Sequence, residues 1–319
     1  MIRYLPPALW LILGLGAGAA AQRPPPAAAP AAARELDTQV ATIGQRLAVS
    51  SLAWCGDRTW LPGVTLGLEN PALASRGGRR EVRATILALA EGGPARRAGL
   101  AANDVVETVD GRALPFATVA ADGGFSGVEQ VRDVFEAAFA DGSARLSVRR
   151  AGTAVTLDVG AEQGCASRFL ILPSRELNAF ANGRSVQVTS RLAEETRRED
   201  ELAAILAHEF AHHVLRHRAR LEASGVARGM MRNFGRSAQL VRATEAEADR
   251  LSVWLLARAG YDPEAAVRFW SWFGRRGLNM FGSPTHGGWQ NRVARMTAEI
   301  AAMRAAGPDG RPDFLPPAL

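Results

Sequence analysis

Hydrophobic and polar positions divide the chain into stretches of different period. Residues 5–21 are an apolar run interrupted by Pro6, Pro7 and three glycines, preceded by Arg3 and closed by Ala19-Ala20-Ala21. A basic start, a short apolar core and an A-x-A site mark a secretory signal cleaved after Ala21. The run is shorter than the ~20 residues of a membrane-spanning helix, so an uncleaved membrane anchor is the weaker alternative. No later stretch matches it without charge, and the mature chain is expected to have no transmembrane segment. Residues 22–35, three prolines and then mostly alanine, read as an extended linker.

Between residues 59 and 162 the pattern turns to short strands separated by turn residues. Strands are predicted over 63–68, 82–89 and 104–109, with a short helix within 92–100 and a second with helical spacing over 128–139. Two further strands, 144–150 and 153–159, form a hairpin around Gly152. Beyond residue 163 the period becomes helical, apart from the alternation at Val186 and Val188, which reads as a strand. Residues 199–220 contain no Gly or Pro and set Ile205, His208, His212 and Leu215 on one stripe, so the helix buries that face. A second strong helix is predicted from Thr244 to Gly260, ahead of Asp262-Pro263.

Composition narrows the function classes. The 319 residues are 47% hydrophobic and 22% charged, ordinary globular usage that excludes wholesale disorder. The net charge of +6 comes from arginine alone, because the chain has no lysine. These 38 cations are interleaved with 32 acids instead of clustered, so no nucleic-acid partner is expected. Five histidines are present, four of them between His208 and His217.

Those histidines carry the chemistry. His208-Glu209-Phe210-Ala211-His212 is an H-E-x-x-H motif. Residues four apart on a helix lie one turn above each other, so both imidazoles reach one metal ion while Glu209 borders the same face as a general base. A catalytic zinc wants a third protein ligand. Glu245, Glu247 and Asp249 compete for it at the start of the second helix. Glu245 and Asp249 share a face, whereas Glu247 lies roughly 200° around from Glu245, and Thr244-x-x-Glu247 fits a capping box. Glu245 is therefore assigned as the third ligand, with Asp249 accepting the N–H of a ligand imidazole, that of His208. His213, rotated ~100° from His212, flanks the site without ligating. His217 reads as a surface hydrogen-bonding residue, the aromatic run 269–273 as core, and Met230-Met231 as part of a mobile loop between the ligand helices.

These motifs resemble two families. The wording of residues 207–217, with Glu245 to Leu251 and the stretch ending at Pro263, is similar to the HtpX/CAAX-prenyl-protease-like gluzincin metallopeptidases, in particular soluble members with an exported catalytic domain. Residues 93–111 resemble the hallmark of a bacterial PDZ domain. The resemblances imply an α+β fold: a mainly helical zincin-type domain with a small edge sheet over 36–58 and 163–300, a β-rich PDZ-like insertion over 59–162, and a tail over 301–319. They further imply one Zn2+ per chain and zinc-dependent cleavage of misfolded or misassembled proteins in the bacterial envelope. Substrate would bind along Asn178 and an edge strand containing Val186 and Val188, and peptides would be captured by strand addition beside Leu66, Gly67 and Leu68. In the metallopeptidase family a histidine and an arginine six residues later face the zinc; His286 and Arg292 match that spacing and are candidate oxyanion donors, with His286 alternatively a displaceable fourth ligand. Cys55 and Cys165 bracket the insertion, whose ends lie close together, and are expected to form a disulfide. The alternative from another class is a catalytically silent zinc-containing peptide-binding or chaperone protein.

Overall fold

The computed structural model describes residues 30–69, 80–115, 117–119, 125–226, 235–276, 288–307 and 310–315. Residues 1–29, read above as a signal and the start of a linker, lie outside them, as do Met230-Met231 and His286.

Helix α1 (Pro30–Ser50) begins inside the stretch read as an extended linker. Proline suits the first turn of a helix, where its missing N–H is not needed, and the alanines that follow are the strongest helix formers. Strand β1 (Arg58–Leu61) leads into a β-rich unit. It comprises β2 (Val64–Glu69), β3 (Arg80–Leu89), α2 (Pro94–Arg97), β4 (Val105–Val109), β5 (Arg112–Ala113), β6 (Ala117–Val119), β7 (Phe125–Ser126), α3 (Val128–Ala137), β8 (Ser143–Arg150) and β9 (Thr153–Gly160). The antiparallel sheet runs β7-β6-β3-β4-β8-β9, with β2 also pairing β3 and β5 pairing β4. The β8–β9 loop is Ala151-Gly152, both at positive φ (47° and 87°) as a two-residue hairpin turn requires.

Strand β10 (Glu162–Cys165) returns antiparallel to β1, so the chain leaves and re-enters the helical part through one two-stranded ribbon. At its base Cys55 and Cys165 form a disulfide, with Cα atoms 5.7 Å apart. The hydrophobic residues divide on either side of this stem. Leu66 through Val159 supply one core, between the sheet and α3; Val40–Cys55 and the residues from Cys165 onward supply the other.

That second core is built from α1, β11 (Arg168–Leu172), β12 (Ala179–Ala181), β13 (Ser185–Thr189), α4 (Ser190–Glu195), α5 (Glu199–Val214), α6 (His217–Ala223), α7 (Gly235–Arg258), α8 (Glu264–Arg275) and α9 (Trp289–Ala306). The fold is therefore mixed helix and sheet, with the sheets largely antiparallel. Helix α1 crosses β11 at Gly44, where a Cβ would overlap the Phe169 ring. Four expectations need correcting. The single helix over 199–220 is two, broken at Arg216, which is left-handed at φ 51°. Helix α7 starts at Gly235, so Thr244 sits in mid-helix, its hydroxyl bonded to the Val241 carbonyl, and no capping box exists. The small sheet has the order β11-β13-β12, so the strand with Val186 and Val188 is central, not an edge. The tail over 301–319 is not separate, since α9 runs to Ala306 and Leu315 is buried in the helical core.

Candidate metal centre between two buried helices

Helix α5 opens with Glu199, Asp200 and Glu201, acids that suit the positive end of its dipole. From Glu201 to Ala211 every residue is buried, so the helix runs through the core and any polar side chain on it must find a partner. His208 and Glu209 are 1% and 5% exposed. Their partners come from α7, which packs against α5 and buries Glu245 and Asp249 on one face.

His208, His212 and Glu245 bring three ligand atoms within 4.8 Å of one another. His208 Nε2 is 3.3 Å from Glu245 Oε2, and His212 Nε2 is 3.6 Å from Glu245 Oε1. The other nitrogen of each imidazole is held separately. His208 Nδ1 lies 3.2 Å from Asp249 Oδ1 and donates its proton to that carboxylate. His212 Nδ1 meets His217 Nδ1 at 2.9 Å, and His217 Nε2 meets Glu247 Oε2 at 3.0 Å. A carboxylate only accepts, so His217 carries its proton on Nε2, its Nδ1 accepts, and His212 donates from Nδ1. Both Nε2 atoms are thereby left facing Glu245, the side on which a cation would replace the proton.

The charges behind the imidazoles are balanced. Asp249 is fully buried and receives Arg292 Nη2 at 2.6 Å and Arg295 Nη1 at 2.6 Å. Burial opposes its ionised form, but Arg292 and the His208 hydrogen bond outweigh burial and hold Asp249 below the usual carboxylate range. Arg292 is itself buried, 3.4 Å above the Trp270 ring. Glu247, held by His217 and two bonds from Arg220, is lowered to about 2. For His208, burial and Arg292 disfavour the cation, yet the hydrogen bonds to Asp249 and Glu245 prevail and push it up to about 9. The site therefore favours positive charge at its centre, which suits a divalent metal.

Glu209 is different. Burial raises its carboxyl to about 7, while it accepts the Ala181 N–H. It lines a cleft of about 1080 Å³ together with His212, Glu245, Asn178 and residues of β12. Among the described residues β12 pairs only with β13, so the sheet edge at the cleft is β12, not the strand first expected. Val186 and Val188 are fully buried and belong to the core, whereas Asn178 stands at the cleft wall. Arg292 is in contact with His208, but its guanidinium is bound to Asp249 and it is not among the cleft's wall residues. Leu66 is buried in the β-rich core and Gly67 lies beside it on β2; the Leu68 side chain is outside the description. His213 stays off the ligand set: its Nε2 accepts the Gly183 N–H and its Nδ1 meets Ser167 Oγ. The run 269–273 packs as core, with Trp270 beneath His208 and Arg292.

Sequence reasoning missed His217. In an unbroken helix a residue five positions on lies ~140° away from His212. The left-handed Arg216 turns the chain, so that His217 comes back onto His212 and is 1% exposed. A non-glycine residue in that conformation leaves no composition signal.

Residues 148–239, which include the whole H-E-x-x-H segment, match the family model described as Peptidase family M48. Over these residues the chain is similar to peptidase family M48. Glu245 and Asp249 lie beyond the matched M48 residues, and geometry alone brings them to the motif. The mitochondrial metalloendopeptidase OMA1 of Schizosaccharomyces pombe is 32% identical over 120 residues, covering 31% of this chain and 36% of that protein. The beta-barrel assembly-enhancing protease of Yersinia pestis is 31% identical over 130 residues, covering 32% of this chain and 27% of that protein. The chain thus spans about a third of the length of these relatives.

Replacing His217 with Ala is expected to weaken zinc binding by about 10–100-fold, the usual effect of removing a partner of a ligand imidazole. Competition against a chromophoric chelator checks this; an unchanged affinity would show that His217 does not orient His212.

Proposed function

We propose that this chain is a zinc-dependent endopeptidase in which His208, His212 and Glu245 hold the cation and Glu209 is the general base. The observation that carries this reading is the position of Glu209: a buried carboxyl on the cleft wall, next in sequence to a ligand, with burial raising it to about 7. A structural zinc site closes with four protein ligands and needs no base, whereas three ligands plus a base form the catalytic pattern. That favours an enzyme over a silent zinc-containing binding protein. Held by His208, His212 and Glu245, zinc would supply a Lewis acid for the scissile carbonyl. Glu209 takes a proton from the attacking water and passes it to the departing amine. Asp249 and His217 keep both imidazoles in the ligating tautomer, and β12, whose Ala181 N–H is held by Glu209, borders the cleft in which an extended polypeptide would lie. With Arg292 bound to Asp249, His286 is the candidate left to donate to the developing oxyanion.

The setting we propose is the bacterial envelope, with misfolded or misassembled proteins as substrates and the β-rich insertion as a PDZ-like peptide-capturing module. Support comes from the signal-like residues 1–21, the disulfide, and the PDZ-like wording of residues 93–111. Digestion of a chemically unfolded protein, with products sequenced, tests the activity. Internal cleavage by the wild-type chain and none by Glu245→Ala is expected; removal of terminal residues alone would refute an endopeptidase.

A further inference from the structure

Glu209 and the histidine four residues after it share a face of α5. Each holds a backbone amide of the segment that borders the cleft. Glu209 accepts the Ala181 N–H at the end of β12, and His213 Nε2 accepts the Gly183 N–H two residues on, at 3.1 Å. The spacings agree: four residues of helix rise about 6 Å and two of extended chain about 6.7 Å, so one helix face can serve alternate amides of a strand beside it. Helix α5 packs against β12 along this line.

The tautomer of His213 follows from its partners. A backbone N–H only donates, so Nε2 is unprotonated and the ring's proton sits on Nδ1, which donates to Ser167 Oγ at 3.0 Å. Ser167 is itself buried, two residues after Cys165 at the base of the stem. The imidazole is therefore fixed at both nitrogens. The turn it meets is tight: Asn182 Oδ1 accepts the N–H groups of Arg184 and Ser185, and Gly183 adopts φ 89°, where a side chain would be strained. Strand β12 has three residues, little length in which to absorb a shift at Gly183 before it reaches Ala181.

A general base works only within hydrogen-bond reach of the proton it takes. The Ala181 N–H occupies one oxygen of Glu209 and leaves the other for water. The ligand atoms of His208, His212 and Glu245 come together from α5 and α7, so the metal group forms whether or not the turn is held.

We propose that His213 is a positioning residue of the reaction: by holding Gly183 it holds β12, and with it the Ala181 N–H that aims the Glu209 carboxylate. The proposal rests on the endopeptidase reading, in which Glu209 is the base. Its signature is a loss in kcat with zinc affinity and KM retained.

The test uses the zinc-loaded full chain with three substitutions. His213→Gln puts an amide oxygen near the place of Nε2 and still accepts from Gly183. His213→Asn puts its amide near the place of Nδ1 and reaches Ser167 instead, and His213→Ala reaches neither. On a fluorogenic peptide His213→Asn and His213→Ala should lose about 10–100-fold in kcat, the usual cost of a misplaced group, while His213→Gln stays within about threefold of wild type. Equal kcat in His213→Asn and His213→Gln would overturn the proposal, as would a parallel loss of zinc affinity or a rise in KM alone, which would make His213 a substrate contact. Wild-type kcat in His213→Ala would also overturn it, and would show that Arg218, which bonds the Asn182 carbonyl, holds the turn by itself. Amide exchange of residues 179–184, followed by mass spectrometry without substrate, should speed up by about tenfold in His213→Asn and not in His213→Gln. Unchanged exchange in His213→Asn overturns the proposal whatever the kinetics. Exchange needs no turnover, so a wild-type chain that hydrolyses nothing defeats the endopeptidase reading, while the exchange result still decides whether His213 holds the β12 amides.

Discussion

Glu209→Gln should keep one zinc per chain and lower hydrolysis by on the order of 10²–10⁴-fold, the usual contribution of a general base. The amide fills the same volume and still accepts the Ala181 N–H, but it cannot take a proton. Glu209 feels His208 and Arg292 through space, and the ligand atoms of His208, His212 and Glu245 come together without it. Metal content by mass spectrometry and kcat on a fluorogenic peptide separate the two effects. Equal loss of zinc and activity would make Glu209 a ligand and not a base.

Asp249→Ala is expected to have the largest effect on stability. It leaves Arg292, 2% exposed, without its carboxylate, and breaking a buried pair by removing one partner costs about 3–5 kcal/mol. It also frees His208 Nδ1, so zinc affinity should fall by about 10–100-fold. The double variant Asp249→Leu with Arg292→Met removes both buried charges and should regain much of the stability, though not the zinc affinity. Denaturant unfolding of the three proteins without metal gives the stability values. A single variant as stable as wild type would mean that Arg292 finds another partner.

What the sequence disclosed depends on how locally each feature is determined. His208, Glu209 and His212, like Glu245 and Asp249, are spaced by helical geometry, so their convergence could be read from spacing before any coordinates. The β-rich insertion was legible through its turn residues, and Cys55 and Cys165 bracketed the stem that they join. The sheet edge was misread because β13 alternates strongly while β12 has three residues, too few to show a period. A central strand advertises itself better than the edge that borders the cleft. Glu247 looked like a cap because Thr244 precedes it by three residues, but α7 had begun nine residues before Thr244, at Gly235. The position is instead occupied by a carboxylate that anchors His217 and Arg220. Both errors concern which distant segment arrives beside a residue, which tertiary packing sets and local pattern does not.

The most direct test of the central claim is metal removal and restoration on the full chain. Protein stripped with a chelator and dialysed should cleave no unfolded substrate, and titration with zinc should restore internal cleavage in proportion, saturating at one equivalent per chain. Cleavage that persists at full rate in the stripped protein, or that stays absent with one zinc bound, would contradict a zinc-dependent endopeptidase.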